Sequence, residues 1–251
     1  MSDRYGHKHY QDKVLESLAK YLRRCRELND PEKAFLEVTT ELWGAGHPYN
    51  KIHQLPNGEK MPLDMPFVCL RVPTGGGKTV IGARAVKVVR DELLDTDHPV
   101  VLWLVPSDAI RVQTLNIMRD LQHPLRQLVN EELGSVEILD GTEALNVQPA
   151  TLNGGAVIMV ATIQSFRVQN MEGRKVYSNS GQLMGHFDFV PREVKDRFPR
   201  GFPHSLANVL RLRRPLVVVD EAQNARSDLS MDVLERFQPR AIAAMDSMIS
   251  R

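Results

Sequence analysis

A glycine-rich run between two apolar stretches constrains the fold of this chain most. The run Pro73–Thr79 (PTGGGKT) follows the apolar residues Phe67–Leu70 and precedes Val80–Ile81. This order is typical of a strand, a phosphate-binding loop and a helix. Glycines let several backbone N–H groups converge on one anion, and the following helix adds the positive end of its dipole. A plain turn between two core elements is the alternative, but lysine and threonine directly after the glycines favour a phosphate loop.

The polar residues of this loop have the chemistry of a nucleotide site. The Lys78 ammonium can reach β- and γ-phosphates, and the Thr79 hydroxyl can bind Mg²⁺. Val72 stands where the full phosphate-loop pattern has its first glycine. The candidate nucleotide-binding residues are Thr74, Gly75, Gly76, Gly77, Lys78 and Thr79.

A second motif places two carboxylates after a buried strand. Leu216–Val219 is a continuous apolar run, and it ends in Asp220 and Glu221. In parallel sheets, ligands bind beyond the carboxyl ends of the strands. Asp220 is therefore a candidate Mg²⁺ ligand, and Glu221 is a candidate base for an attacking water. Two solvated acids opening a loop are the alternative reading of this pair.

Together the two motifs resemble those of superfamily 2 helicases and translocases. Asp-Glu-Ala-Gln at 220–223 stands where that family has Asp-Glu-Ala-Asp or Asp-Glu-Ala-His, and the family often lacks the first loop glycine. The resemblance implies a RecA-like α/β domain, mainly a parallel sheet with helices on both faces. It also implies ATP and Mg²⁺ as cofactors, and Lys78 and Glu221 as catalytic residues of ATP hydrolysis.

Two further loops resemble the nucleic-acid-contacting motifs of the same family. Ser107 follows the apolar residues 100–104, and Thr162 and Gln164 follow the apolar residues 156–160. Small hydroxyl groups and backbone N–H groups hold phosphates without reading sequence. Double-stranded DNA is the partner that this resemblance implies. A strand followed by a helix cap is the alternative reading of each loop.

The N-terminal segment resembles the adenine-reading helix of this family. Tyr10 and Gln11 open a stretch with apolar residues at helical spacing, and residues 9–28 are predicted to form one helix. The resemblance implies that Gln11 recognises the edge of the adenine base, because an amide can both donate a hydrogen bond to that edge and accept one from it. A solvated glutamine at a helix start is the alternative.

Within the superfamily, the chain is similar to the restriction subunit of type III restriction enzymes. The signs are the Tyr-Gln opening, the triple glycine and Asp-Glu-Ala-Gln-Asn at 220–224. This likeness implies a methyltransferase subunit as a further partner. A phosphate-loop NTPase that does not act on nucleic acid stays an alternative, as does an inactive remnant that binds nucleotide or a partner.

The pattern along the chain predicts two regions. Residues 1–65 are an N-terminal helical extension, and residues 66–251 are the ATP-binding domain with an insertion near 170–215. Strands are expected near 67–71, 99–105, 135–139, 156–160 and 216–219, and helices at 78–93 and 107–122. Within the insertion, residues 191–215 hold seven basic and two acidic residues interleaved with Phe198 and Phe202, which could track a nucleic-acid strand or form a solvated insertion.

The end of the chain departs from the family pattern. Residues 241–248 read Ala-Ile-Ala-Ala-Met-Asp-Ser-Met, where the family has a Ser-Ala-Thr-like motif and then a second RecA-like domain with an arginine finger. We therefore expect the domain to be incomplete at this end, with residues 241–251 poorly packed. We also expect this chain alone to bind ATP without efficient hydrolysis, since arginine fingers contribute about 10³–10⁵ in rate.

Composition excludes several other classes of protein. The net charge is +1, so composition gives no argument for nucleic acid, and any basic surface must be local. Cys25 and Cys69 are far apart and suggest neither a disulfide framework nor a metal site, and Cys69 is expected to fill the core. The polar N-terminus resembles no signal peptide, and no apolar run approaches the roughly 20 residues of a membrane span. The expected location is the cytoplasm.

Overall fold

The computed structural model describes most of the chain. The described residues are 9–49, 65–73, 75–94, 96–166, 175–188, 190–191, 194, 198, 201–221 and 236–248. The helices are α1 (His9–Leu28), α2 (Pro31–Trp43), α3 (Lys78–Leu93), α4 (Asp108–Arg119), α5 (Pro124–Leu133), α6 (Pro149–Gly154) and α7 (Leu206–Arg213). The strands are β1 (Phe67–Pro73), β2 (Val100–Val105), β3 (Val136–Asp140), β4 (Ala156–Thr162), β5 (Leu216–Val219) and β6 (Ala241–Met248).

The six strands form one sheet in the order β1-β6-β5-β2-β4-β3. Every neighbouring pair is parallel. All strands therefore end at the same edge of the sheet, which we call the carboxyl edge. This arrangement confirms the predicted α/β class with a parallel sheet.

Alternating side chains of the strands divide the core into two faces. In β2, Val101, Trp103 and Val105 belong to one hydrophobic cluster, with buried side chains of α1, α3, α4 and α5. Leu102 and Leu104 belong to the other cluster, with side chains of α6, α7 and the 3₁₀ turn Gly181–Phe187. Because both faces are covered, β2 is apolar throughout and buried at all six positions.

Helix α1 packs directly on α3, the helix that follows the glycine run. Leu18 and Leu22 of α1 are buried in the same cluster as Ile81 of α3. The Arg23 guanidinium also donates two hydrogen bonds to Glu92, at 2.7 and 3.1 Å. Helix α1 is thereby held against α3, and its first turn is brought to the carboxyl edge.

Residues 241–251 were expected to pack poorly, and strand β6 corrects this expectation for residues 241–246, which are all buried, whereas residues 249–251 lie outside the described residues. The strand lies in the middle of the sheet, with Val68↔Ala243 on one side and Val218↔Ala243 on the other. Ile242 is 2% exposed and Met245 is fully buried. Two strands that are distant in sequence supply its partners, and the alanines leave room for the layers on both faces.

Two smaller expectations are also corrected. The helix predicted at 107–122 is α4, which ends earlier, at Arg119, and a further helix that was not predicted, α5, begins at Pro124 with His123 as its cap. Cys69 does not fill the core but is exposed, because β1 forms an edge of the sheet that the described residues build. Among the described helices, none is long and apolar enough to cross a membrane.

Candidate functional site at the carboxyl edge of the sheet

The two motifs meet at neighbouring strand ends. The glycine run follows β1, the two carboxylates follow β5, and only β6 lies between these strands. Sheet strands are about 4.8 Å apart, so the two loops face each other across roughly 10 Å of backbone. Side chains of ordinary length can close that gap.

Glycines give the loop a shape that other residues would strain. Gly75 and Gly77 have φ angles of 73° and 77°, in the left-handed region that L side chains rarely adopt. The Gly76 N–H donates to the Pro73 carbonyl at 2.8 Å, which closes the turn. Gly77 then caps α3, and Lys78 and Thr79 lie in the first helical turn with half-buried side chains. Thr74 lies outside the described residues.

The Lys78 ammonium donates a hydrogen bond to the Glu221 carboxylate and forms an ion pair with it. The side chains of Lys78 and Glu221 are 12% and 30% exposed. Glu221 has a φ angle of 52°, so the chain turns sharply at the end of β5 and aims this carboxylate at the loop. Ala222, Gln223 and Asn224 lie outside the described residues.

Asp220 continues the sheet and is buried behind this ion pair. Its N–H donates to the Leu104 carbonyl at 2.8 Å, and its Oδ1 accepts from the Glu221 N–H at 3.0 Å. Burial raises the pKa of Asp220, and the neighbouring Glu221 carboxylate raises it further. The Glu221 N–H and the Lys78 ammonium oppose both effects. A cation nearby would therefore stabilise the ionised form of this buried carboxylate.

Gln11 reaches the same place from helix α1. Its side chain is 5% exposed, and Nε2 donates to the Gly76 carbonyl at 2.9 Å. The Oε1 atom is buried and has no hydrogen-bond partner within the described part of the chain. The structure thus brings together Gln11, the glycine loop, Lys78, Thr79, Asp220 and Glu221.

The candidate nucleic-acid residues form a second group farther along the edge. β2 and β4 are neighbours, with Val105 paired to Thr162. Ser107 is exposed and caps α4, accepting from the Ile110 N–H at 3.4 Å. The Thr162 and Ser165 hydroxyls are 2.8 Å apart, and Gln164 is exposed. These groups lie on one surface, separated from the glycine loop by β5 and β6.

Arg111, an arginine that sequence analysis missed, joins this group to the end of the next strand. Arg111 of α4 donates to Asp108 at 2.7 Å and also to Asp140, which ends β3. The ion pairs tie the loop after β2 to the loop after β3. An i,i+3 spacing from Asp108 was a visible signal, but the pairing with Asp140 depends on tertiary structure.

The described phenylalanine residues of the predicted insertion pack against one another and are buried or half-buried. Phe198 is 8% exposed, and its ring lies 4.6 Å from Phe202 and 6.4 Å from Phe187. Arg211 lies over the Phe198 ring at 5.2 Å. The rings bury one another, which opposes the hypothesis that they stack on bases. Much of the remaining insertion lies outside the described residues.

The donor set fits the group that the family implies. Asp220 and Thr79 offer a carboxylate and a hydroxyl, which are the hard oxygen donors that Mg²⁺ prefers. Among the described residues, no cluster of three or more histidine, cysteine, aspartate or glutamate side chains could hold a metal by itself. An ion that takes its remaining ligands from phosphates and water needs no such cluster.

Most of the chain matches the model of a known protein family. Residues 5–245 match the family model described as "Type III restriction enzyme, res subunit". The match spans both N-terminal helices, strands β1 to β5 and the first five residues of β6. The comparison with curated proteins finds no match.

Proposed function

The chain belongs to the family of type III restriction enzyme res subunits, and from this premise we propose that it binds Mg-ATP at the carboxyl edge and couples ATP hydrolysis to movement on DNA. Family membership makes it a helicase-like ATP-binding domain. The observation that carries the finer proposal is the ion pair between Lys78 and Glu221, which are 143 residues apart in sequence. It brings a phosphate-binding cation and a candidate base to one point.

The roles follow from the charges of the side chains. Backbone N–H groups of the loop from Thr74 to Gly77 and the first turn of α3 would hold phosphate oxygens. The Lys78 ammonium would neutralise the β- and γ-phosphates, and Thr79 and Asp220 would hold Mg²⁺, which offsets the charge that develops during phosphoryl transfer. Gln11 would contact the adenine.

Separation of the Lys78–Glu221 ion pair would link ATP binding to ATP hydrolysis. Phosphates carry more negative charge than one carboxylate, so ATP would draw Lys78 away from Glu221. The same event would release the Glu221 carboxylate to orient and deprotonate the attacking water. In the resembling family a second RecA-like domain supplies an arginine finger, so we propose that residues 9–248 bind ATP without efficient turnover unless such a domain joins them.

The surface formed by Ser107, Thr162 and Gln164 is the proposed DNA contact. Its exposed hydroxyl and amide groups suit phosphate oxygens, which position a strand without reading sequence. The family description supports double-stranded DNA as the partner. We also propose a methyltransferase subunit as a further partner. We propose that the protein acts on this DNA in the cytoplasm.

Steady-state ATP turnover of the chain joined to a family RecA-like second domain tests this function. We expect double-stranded DNA to raise turnover, and we expect Gln164→Ala to reduce that stimulation by several fold. Gln122→Ala is the matched control, because Gln122 is exposed in the turn after α4, and the length of α4, about 18 Å, separates this turn from Ser107. Glu221→Gln should keep ATP binding and lose at least tenfold in turnover, because the amide cannot accept the proton.

Two results would contradict the proposal. Turnover that DNA leaves unchanged would favour an NTPase acting on another substrate. Unchanged turnover in Glu221→Gln would remove Glu221 from the base role.

A further inference from the structure

One carbonyl of the glycine loop accepts hydrogen bonds from two neighbouring side chains of α1. The Tyr10 hydroxyl donates to the Gly76 carbonyl, and Gln11 Nε2 donates to the same oxygen at 2.9 Å. Gly76 lies 66 positions after Tyr10 and 65 positions after Gln11 in the chain. The contact is therefore a tertiary link between the N-terminal helix and the loop.

The link acts on the orientation of a peptide plane. In a trans peptide the carbonyl and the following N–H point in opposite directions, and the described residues contain no cis peptide bond. Fixing the Gly76 carbonyl toward α1 therefore aims the Gly77 N–H away from α1. Gly76 lies between two glycines with positive φ, so without an anchor this peptide could rotate at low cost.

Helix α1 and the glycine loop are in close contact. A Cβ atom on Gly76 would lie 2.8 Å from the Tyr10 hydroxyl oxygen and 2.7 Å from Val72 Cγ1. A Cβ atom on Gly77 would lie 3.0 Å from Gln11 Nε2. Helix α1 is itself fixed by buried Leu18 and Leu22, so its first turn is a rigid support for the loop.

We propose that Tyr10 is a positioning residue of the nucleotide site, which holds the glycine loop with its Gly77 N–H directed at the bound phosphates. The inference rests on the proposed function. It gives Tyr10 and Gln11 different ligand selectivities. Tyr10 acts only through the loop, so its hydroxyl supports any triphosphate group. Gln11 supports the loop through Nε2 and also has a buried Oε1 that can accept from an exocyclic amine, so it supports adenine in addition.

The test is calorimetric titration of the chain with three Mg²⁺-saturated probes: ATP, GTP and inorganic tripolyphosphate. Tyr10→Phe removes one hydroxyl and keeps the ring. We expect it to weaken all three by the same factor, about 3- to 10-fold, the size of a lost hydrogen bond. We expect Gln11→Ala to weaken all three and, in addition, to lower the ratio of ATP to GTP affinity.

Tyr177→Phe is the matched control, since it removes a phenol hydroxyl that donates to the Phe166 carbonyl at 2.9 Å on the other face of the sheet. It should leave all three affinities unchanged. The melting temperature of each variant is measured alongside. Loss of one hydroxyl hydrogen bond should lower it by about 6 °C or less in Tyr10→Phe and in Tyr177→Phe alike, whereas a folding defect would lower it further.

The outcomes separate this inference from the proposed function. If the unmodified chain binds none of the probes, the proposed function fails. If it binds them and Tyr10→Phe binds all three equally well, the Tyr10 inference is wrong and the proposed function stands. A loss confined to ATP and GTP, with tripolyphosphate unaffected, would also overturn the inference, because Tyr10 would then act on the nucleoside.

Discussion

The central strand β6 offers the sharpest test of the fold, through Ile242→Ala. The Ile242 side chain is 2% exposed and belongs to the cluster between the sheet and α7. Removing buried branched side chains costs about 2–5 kcal/mol, and the flanking strands β1 and β5 limit collapse of the resulting cavity. We expect the free energy of unfolding to fall by about 3 kcal/mol, which is a drop of roughly 6–12 °C in melting temperature.

Urea unfolding followed by circular dichroism measures this loss. Val112→Ala is the control, since Val112 is 45% exposed on α4 and its truncation should change stability by about 0.5 kcal/mol or less. Native-state hydrogen exchange should also be slow from Ala241 to Asp246, as in β5. A loss below about 1 kcal/mol in Ile242→Ala, with fast exchange over these residues, would refute a core position for β6.

Two other predictions concern groups away from the site. His186 is 5% exposed, its Nε2 lies 2.8 Å from the Val147 carbonyl, and burial lowers its pKa, with the Arg213 charge adding to the shift. As the pH falls, the unfolded chain therefore binds a proton near pH 6.5, before the folded chain does, so the free energy of unfolding should fall below about pH 6.5. In urea unfolding, His186→Gln should reduce the change of the midpoint with pH. An equal change of the midpoint with pH in the variant and the unmodified chain would contradict this prediction. Arg126 donates to the Val136 carbonyl of the edge strand β3 at 2.8 Å, so Arg126→Leu should cost about 1–3 kcal/mol and increase light scattering on warming. Arg23→Ala, which removes a more exposed ion pair, should cost about 1 kcal/mol or less, and equal losses in the two variants would contradict a stabilising role of the Arg126 hydrogen bond at the edge strand β3.

Elements with local signals were predictable from the sequence. The helix predicted at 9–28 is α1, and that at 78–93 is α3, because each has apolar residues at helical spacing. The strand predicted at 216–219 is β5. Family likeness added the restriction-subunit identity, which the match over residues 5–245 confirms.

What the sequence did not predict depends on distant partners. The alanine-rich β6 has weak strand propensity, and only its position between β1 and β5 makes it a strand. The contact of Tyr10 with Gly76 required the packing of α1 on α3. The left-handed turn at Glu221 is a backbone feature that no local residue pattern announces. Pro124, by contrast, was a readable signal for the start of α5, because proline favours the first position of a helix.

Binding of Mg-ATP to matched lysine variants tests the central claim most directly. Lys78→Ala removes the charge that the site offers to phosphates, whereas Lys87→Ala removes an exposed lysine of the same helix that pairs with Asp91. In isothermal titration calorimetry we expect Lys87→Ala to bind as tightly as the unmodified chain and Lys78→Ala to lose at least tenfold in affinity, with both variants folded by circular dichroism. Equal affinity of the two variants for Mg-ATP would contradict a nucleotide site at the carboxyl edge.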